Sequence, residues 1–289
     1  MTAIIIGANG QDGFYLNELL DAKGIHTIGI SRGGNFNHID IADFNSVKEF
    51  INKHQPAYVF HLAANSTTGH HAVFDNHNAI STGTINILET VKQVSPHTKV
   101  FLSGSGLQFI NKDLPIKETD EFDASSAYSV ARIHSVYAAR YYRTLGLKVY
   151  IGYFFNHESP RRTERHVSKM IAEAVKRIRE GSKEVISIGD LTVKKEWTFA
   201  GDVVNAVLTL VEQDNVYEAV IGSGVGYSIG DYIERCFTHI GKNSGEYINQ
   251  KENFTAQYNQ LISDPSTINS VGWQPGKSFD DLVKMMLTD

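Results

Sequence analysis

Ala3-Ile4-Ile5-Ile6-Gly7-Ala8-Asn9-Gly10-Gln11-Asp12-Gly13 is the stretch that decides the fold. Four apolar, mostly β-branched residues stop at a glycine, which reads as a short buried strand. Helical spacing follows directly, with Phe14, Leu16, Leu19 and Leu20 on one face and Gly24 as the stop. Between them lies G-x-x-G-x-x-G at Gly7, Gly10 and Gly13. In a strand–turn–helix unit one such glycine makes the tight turn, one lets the backbone approach a pyrophosphate, and one permits close helix–strand packing. The helix N-terminus then offers free N–H groups to phosphate charge. The stretch predicts a dinucleotide site, with Asn9, Gln11 and Asp12 between its glycines.

The pattern continues outward. Strands are predicted at 27–30, 57–62, 99–102 and 148–153, alternating with helices at 44–54, 79–94 and 126–145. Alternation at this pitch implies a parallel sheet covered on both faces. Beyond residue 155 it loosens into helices at 167–179, 202–212 and 279–287 with short elements between them. The fold class is therefore α/β: a Rossmann-type doubly wound parallel sheet over residues 1–155, with a smaller α/β C-terminal substrate lobe over 156–289 interleaved with it.

Bulk properties narrow the function. The chain has 289 residues, 42% of them hydrophobic, enough to bury a full core. A net charge of −5 gives no general attraction to nucleic acid or anionic membrane, so neither is expected as a partner. Cys236 is the single cysteine, which excludes an internal disulfide and fits a reducing compartment. No basic n-region precedes a long apolar run, and a cytoplasmic protein is expected. The 12 histidines, His70-His71 included, form no cluster with metal-ligand spacing; no metal is expected, and these histidines read as loop and surface residues. No Gly-x-Ser-x-Gly elbow follows a strand in the right place.

The second predicted strand ends Ile30-Ser31-Arg32-Gly33-Gly34 without the acidic residue that holds a ribose 2′-OH in NAD sites. Arg32 pairs readily with a 2′-phosphate, so NADP(H) is the expected cofactor. Further on, Tyr128 and Arg132 stand at i and i+4 on one helix face. A fixed positive charge favours the phenolate, giving a proton donor or acceptor beside a nicotinamide. Ser105 closes the strand end Ser103-Gly104-Ser105, placed to hydrogen-bond a reacting oxygen.

With these segments in view, the chain resembles the extended short-chain dehydrogenase/reductase family, and within it most closely the GDP-mannose 4,6-dehydratases. The carrying residues are Gly10-Gln11-Asp12-Gly13, Leu62-Ala63-Ala64-Asn65-Ser66, Gly83-Thr84-Ile85-Asn86 and above all Phe155-Asn156-His157-Glu158-Ser159-Pro160-Arg161-Arg162. Glu196-Trp197, Asp202, Asp264-Pro265-Ser266 and Gly272-Trp273-Gln274-Pro275 extend the match to the tail. The resemblance implies that Asp40 and Ile41 flank the adenine. It also implies that Leu62, Ala63, Ala64 and Ser66 line the cofactor, and that His157 and Arg162 touch its nicotinamide half. Asn156, Lys169 and Lys195 are implied to face a sugar nucleotide. A homodimer or higher homo-oligomer is implied too, through the helix after the third strand and the tyrosine helix. Ala127, Val130, Ala131, Val136, Tyr137, Ala138, Tyr141 and Tyr142 give the latter extra apolar surface.

Three departures qualify the activity. The family pairs a threonine with a glutamate two residues later, for elimination of water; here the places hold Ser105 and Leu107, and no carboxylate occurs from 103 to 109. Arg132 stands where the family has lysine, keeping charge without releasing a proton. Phe254 replaces an arginine expected on the nucleotide diphosphate. Three readings result. The first is an NADP(H)-dependent ketoreductase of a nucleotide-linked keto-sugar, using Ser105, Tyr128 and Arg132. The second is a redox-neutral 4-epimerase or altered dehydratase, and the third a catalytically silent nucleotide- or cofactor-binding protein. Net NADPH consumption separates the first from the other two.

Overall fold

A computed structural model describes residues 1–65 and 67–288. In chain order the sheet half holds β1 (Thr2–Ile6), α1 (Gln11–Ala22), β2 (His26–Ile30), α2 (Phe44–His54), β3 (Tyr58–His61), α3 (Val73–Asn76), α4 (Gly83–Val94), β4 (Lys99–Ser105), α5 (Ala127–Thr144) and β5 (Val149–Phe154). Then come β6 (His157–Glu158), α6 (Val167–Arg179), β7 (Ile186–Ile188), β8 (Lys194–Glu196), β9 (Thr198–Phe199), α7 (Ala200–Val211) and β10 (Glu218–Ile221). The chain closes with β11 (Gly226–Ser228), α8 (Ile229–His239), β12 (Ile248–Gln250), β13 (Gln260–Leu261), α9 (Ser266–Ser270) and α10 (Phe279–Leu287).

Six strands form one parallel sheet in the order β10-β5-β4-β3-β1-β2. The chain reverses direction across the sheet between β1 and β3. In open α/β sheets the crevice at such a switch point, at the carboxyl ends of the strands, is where ligands bind. Strand positions such as Ile4, Ile5, Val59, Phe60, Val100 and Phe101 are fully buried, because helices cover both faces. On one face α2, α4 and α5 contribute Val47, Ile51, Leu88, Val91, Val136 and Ala139. On the other α1 and α7 contribute Leu16, Leu20, Val203, Val207 and Leu210. A separate core joins α6, α8 and α10 around Trp197, Tyr232 and Phe237.

Local chemistry explains the ends of these elements. Asp43 caps α2 by accepting the Asn45 N–H, Ser126 caps α5 through Ser129, and Ser278 with Asp281 forms a capping box on α10. Two sequence expectations change. The helix expected at 79–94 is α4 alone, preceded by a π-helical turn over His77–Thr82. At that turn the Ala79 carbonyl accepts a hydrogen bond from His61 and the Ile80 carbonyl one from Ser135. The apolar surface of α5 is also narrower than its composition suggested. Ala131, Val136, Ala138 and Tyr142 are buried inside the domain, while Val130, Tyr137 and Tyr141 are exposed. Among the elements that the sequence reading did not specify are α8, and β10 as the edge strand of the main sheet.

No helix among the described residues is long and apolar enough to cross a membrane. The described residues include no group of three or more metal-ligating side chains.

Candidate active site

The glycine turn sits at the switch point and is too tight for other residues. Gly7 has φ +96°, and a Cβ there would lie 2.8 Å from the Ala63 nitrogen. A Cβ on Gly13 would lie 2.4 Å from the Gly7 carbonyl oxygen. Two cavities open over this turn, both bordered by Gly7, Gly10, Leu62 and Ala64. The outer one, of about 780 Å³, is lined by Asn9, Arg32, Asp40, Ile41 and Ala63. The inner cleft, of about 350 Å³, is lined by Gln11, Asp12, Gly13, Ser105, Leu107, Tyr128, Arg132, Asn156, His157 and Arg162. An elongated cofactor fits this pair: a narrow turn of N–H groups at the start of α1, with one chamber on each side. Arg32 makes no hydrogen bond or ion pair with a described residue, whereas the Asp40 carboxylate accepts the Ala42 N–H at 3.0 Å. Ser66 lies outside the described residues.

The octapeptide after β5 fastens this turn to the second lobe. His157 Nε2 stands 2.9 Å from Asp12 Oδ1, and its Nδ1 2.8 Å from the Phe155 carbonyl. Ser159 donates to the Gln11 side chain at 2.7 Å. Burial pushes Asp12 up, yet the His157 charge and hydrogen bond, aided by Arg162, outweigh it and leave Asp12 at about 2. The same pairing overcomes burial at His157 and holds its imidazole above the ordinary value. Below this pair, buried Glu158 accepts from Arg162 Nε at 3.2 Å and Ser168 at 2.6 Å, with Lys195 Nζ at 3.6 Å. Burial pushes the Glu158 carboxyl up, and Lys195 and Arg162 outweigh that push.

These contacts redirect two predicted substrate residues. Lys195 is buried on Glu158 with its ammonium 4.3 Å from the Trp197 ring centroid. Lys169 pairs with Glu173 at 2.6 Å, one helical turn on. Neither is among the described residues that line the cleft. Asn156 does line it, and its buried Oδ1 has no partner among the described residues. The reading of the histidines as surface residues also fails at two places. His61 and His157 are both buried, and burial with the Arg132 charge pulls His61 down to about 3.

The reacting end is built from β4 and α5. Ser105 and Tyr128 are 8% and 7% exposed, and both border the cleft. The Ser105 hydroxyl caps the short turn after β4 by accepting the Leu107 N–H at 3.2 Å, which leaves its own proton free to donate. Arg132 lies 5.1 Å from the Tyr128 ring centroid. Its guanidinium donates to the Ser103 carbonyl and, at 2.9 Å, to the Ser103 hydroxyl, which in turn donates to the His61 carbonyl at 3.1 Å. The cation is thus anchored to the strand end beneath the tyrosine. Leu107 forms part of the cleft wall, and among the described residues the only carboxylate lining the cleft is Asp12, bound to His157. The sequence reading had not marked His166, which borders the cleft beside Arg162; a single histidine at a helix start carries no motif.

A third cavity, of about 410 Å³, opens where α6 begins, lined by Arg165, Val167, Met170, Asp190, Phe254 and Tyr258. The Phe254 ring packs on Gly189, where a Cβ would come within 2.7 Å of it.

Comparison with known proteins agrees with this architecture. The family model described as GDP-mannose 4,6 dehydratase matches residues 4–286. The chain is similar to GDP-mannose 4,6 dehydratase 2 of Arabidopsis thaliana, 31% identical over 99% of this chain and 86% of that one. It is also similar to human GDP-mannose 4,6 dehydratase, 29% identical over 99% of this chain and 90% of the other. Among solved structures it shares the fold of RMD from Pseudomonas aeruginosa complexed with NADPH, with TM-score 0.85, 20% identity and coverage of 99% and 96%. It shares that of Thermus thermophilus UDP-glucose 4-epimerase complexed with NAD equally well, with TM-score 0.84, 19% identity and coverage of 99% and 98%.

Proposed function

The chain belongs to the GDP-mannose 4,6-dehydratase family, and on that premise we propose that it is an NADP(H)-dependent reductase of nucleotide-linked keto-sugars. The observation that carries this reading is the side chain at 107. The cleft holds the two hydroxyls that carbonyl reduction needs, Ser105 and Tyr128, and a leucine where elimination needs a carboxylate.

In this reading Gly7, Gly10, Gly13 and the start of α1 hold the cofactor pyrophosphate, Arg32 takes the 2′-phosphate, and Asp40 and Ile41 flank the adenine. When bound, the cofactor supplies a hydride. Tyr128 donates its phenolic proton to the substrate carbonyl oxygen, and Ser105 orients that oxygen by a hydrogen bond. Arg132 stays charged throughout and supports the phenolate without supplying a proton. Asn156 accepts a hydrogen bond from a sugar hydroxyl, and the nucleotide half extends toward the cavity at the start of α6. The exposed stripe Val130, Tyr137 and Tyr141 favours a homodimer or higher homo-oligomer; light scattering that gives a monomer at micromolar concentration contradicts it.

The test is a panel of 4-keto-sugars linked to GDP, dTDP, UDP and CDP, incubated with NADPH and followed by loss of reduced-nicotinamide absorbance. At least one member consumes NADPH in proportion to the sugar alcohol formed. Absence of consumption across the panel, with NADPH binding intact, refutes the reading.

A further inference from the structure

Arg132 is a buried cation on α5, and among the described residues its guanidinium forms no ion pair. A guanidinium leaves water only where fixed dipoles replace the water it loses. Here both dipoles come from one residue. Buried Ser103 on β4 accepts from Arg132 Nη1 through its carbonyl and, at 2.9 Å, through its hydroxyl oxygen. The single hydroxyl proton of Ser103 goes to the His61 carbonyl at 3.1 Å, which leaves the oxygen lone pairs for Arg132. The next neighbour stays neutral. His61 Nε2 stands 3.0 Å from the Ala79 carbonyl, a hydrogen bond that needs the proton on Nε2. Its buried Nδ1 has no partner among the described residues, and burial with the Arg132 charge keeps the ring unprotonated at neutral pH. No second positive charge therefore pushes the guanidinium out of the wall.

We propose that Ser103 is a positioning residue of this site: its carbonyl and hydroxyl fix the Arg132 guanidinium beneath Tyr128, and proton transfer from the phenol depends on that placement. The catalytic half of this rests on the keto-sugar reading above. Ser103 borders the cleft, but its hydroxyl is committed to His61 on one side and Arg132 on the other, so it acts through Arg132 and not on the substrate. The guanidinium lies 5.1 Å from the Tyr128 ring centroid, close enough that a small rotation of its long side chain changes the field at the phenol. Helix α5 sets the spacing of the two residues, and β4 sets where the charge comes to rest. The arrangement is specific to arginine. A lysine ammonium at 132 ends one bond short of Nη1, so it keeps the charge and loses the two contacts to Ser103.

The experiment labels the tyrosines with ¹³C at Cζ and follows the Tyr128 resonance, identified by its loss in Tyr128→Phe, beside kcat for NADPH-dependent keto-sugar reduction. Ser103→Ala and Arg132→Met each displace the resonance, in the same direction. Ser103→Ala lowers kcat by about tenfold or more, within the roughly 10²-fold that misplacing a catalytic group by about 1 Å costs, and leaves KM and the NADPH dissociation constant within about threefold. Retained NADPH binding excludes general misfolding. Arg132→Lys also lowers kcat by about tenfold or more. In the Arg132→Met background, Ser103→Ala changes kcat by about twofold at most, because nothing remains for it to position. A Tyr128 resonance unmoved by Ser103→Ala overturns the proposal and leaves the reductase reading standing, as do additive losses in the double variant or full kcat in Arg132→Lys. A displaced resonance in a protein that reduces no keto-sugar supports the placement of Arg132 by Ser103 and overturns the reductase reading.

Discussion

Replacing His157 with glutamine tests how the glycine turn is held. The His157 and Asp12 side chains are 9% and 23% exposed, so the pair is largely withdrawn from water. Asp12 falls from 3.8 to about 2, a displacement worth about 2.5 kcal/mol at 1.36 kcal/mol per pH unit. Removing one partner of a buried pair costs roughly 3–5 kcal/mol, because the other charge is left uncompensated. With Asp12 partly solvated, His157→Gln costs about 3 kcal/mol, or a fall in Tm of about 6 °C for a chain of this size. The pH dependence has two limbs. Asp12 is depressed, so its contribution is present above 3.8 and is lost as pH falls through about 2. His157 is raised, so its contribution is full below 6.5 and is lost as pH rises through its elevated value. Denaturant unfolding at a series of pH values, on wild type, His157→Gln, Asp12→Asn and the double variant, reads both. We expect a coupling energy of about 2 kcal/mol at pH 6 and loss of the alkaline limb in His157→Gln. Coupling below about 0.5 kcal/mol, or an unchanged alkaline limb, refutes the account of the pair.

Three further outcomes are expected. Arg32→Ala weakens NADPH binding by about tenfold or more, the worth of roughly 1.5–3 kcal/mol for a charge-assisted hydrogen bond, and leaves NADH binding within about twofold by fluorescence titration. Tyr128→Phe lowers kcat for keto-sugar reduction by roughly 10²–10⁴-fold with cofactor affinity retained. Glu158→Gln strips the counter-charge from buried Lys195 and from Arg162 and lowers stability by about 3–5 kcal/mol, seen as a shifted urea midpoint at unchanged slope.

Much of the sheet half was legible because its signals are local. The run 3–6 with its glycines predicted β1 and the turn, and helical periodicity returned α2 at Phe44–His54, as it did α6 and α10 of the separate core at Val167–Arg179 and Phe279–Leu287. What was missed depends on distant partners. β10 is four residues whose place beside β5 comes from pairing, not from its own composition. Lys195 is engaged by Glu158 and Lys169 by Glu173, pairings that charge type alone does not announce. The π turn before α4 is tied to His61 on β3, a contact no helical period announces. α8 is a different case: Ser228 and Asp231 spell a capping box, and Tyr232, Ile233, Cys236 and Phe237 keep helical spacing, so its signal was present and unused. At the cleft, Ser105, Tyr128 and Arg132 line one pocket, and the Ser103 anchor on Arg132 belongs to the folded arrangement alone.

The central claim concerns which reaction Leu107 permits, and one paired NMR measurement addresses it. The protein is given GDP-mannose with NADP⁺ in one tube and a nucleotide-linked 4-keto-6-deoxy-sugar with NADPH in the other. The account predicts no 4-keto-6-deoxy product in the first and a sugar alcohol formed in step with NADPH oxidation in the second. Conversion of GDP-mannose to its 4-keto-6-deoxy form, with no net change in the cofactor, contradicts it.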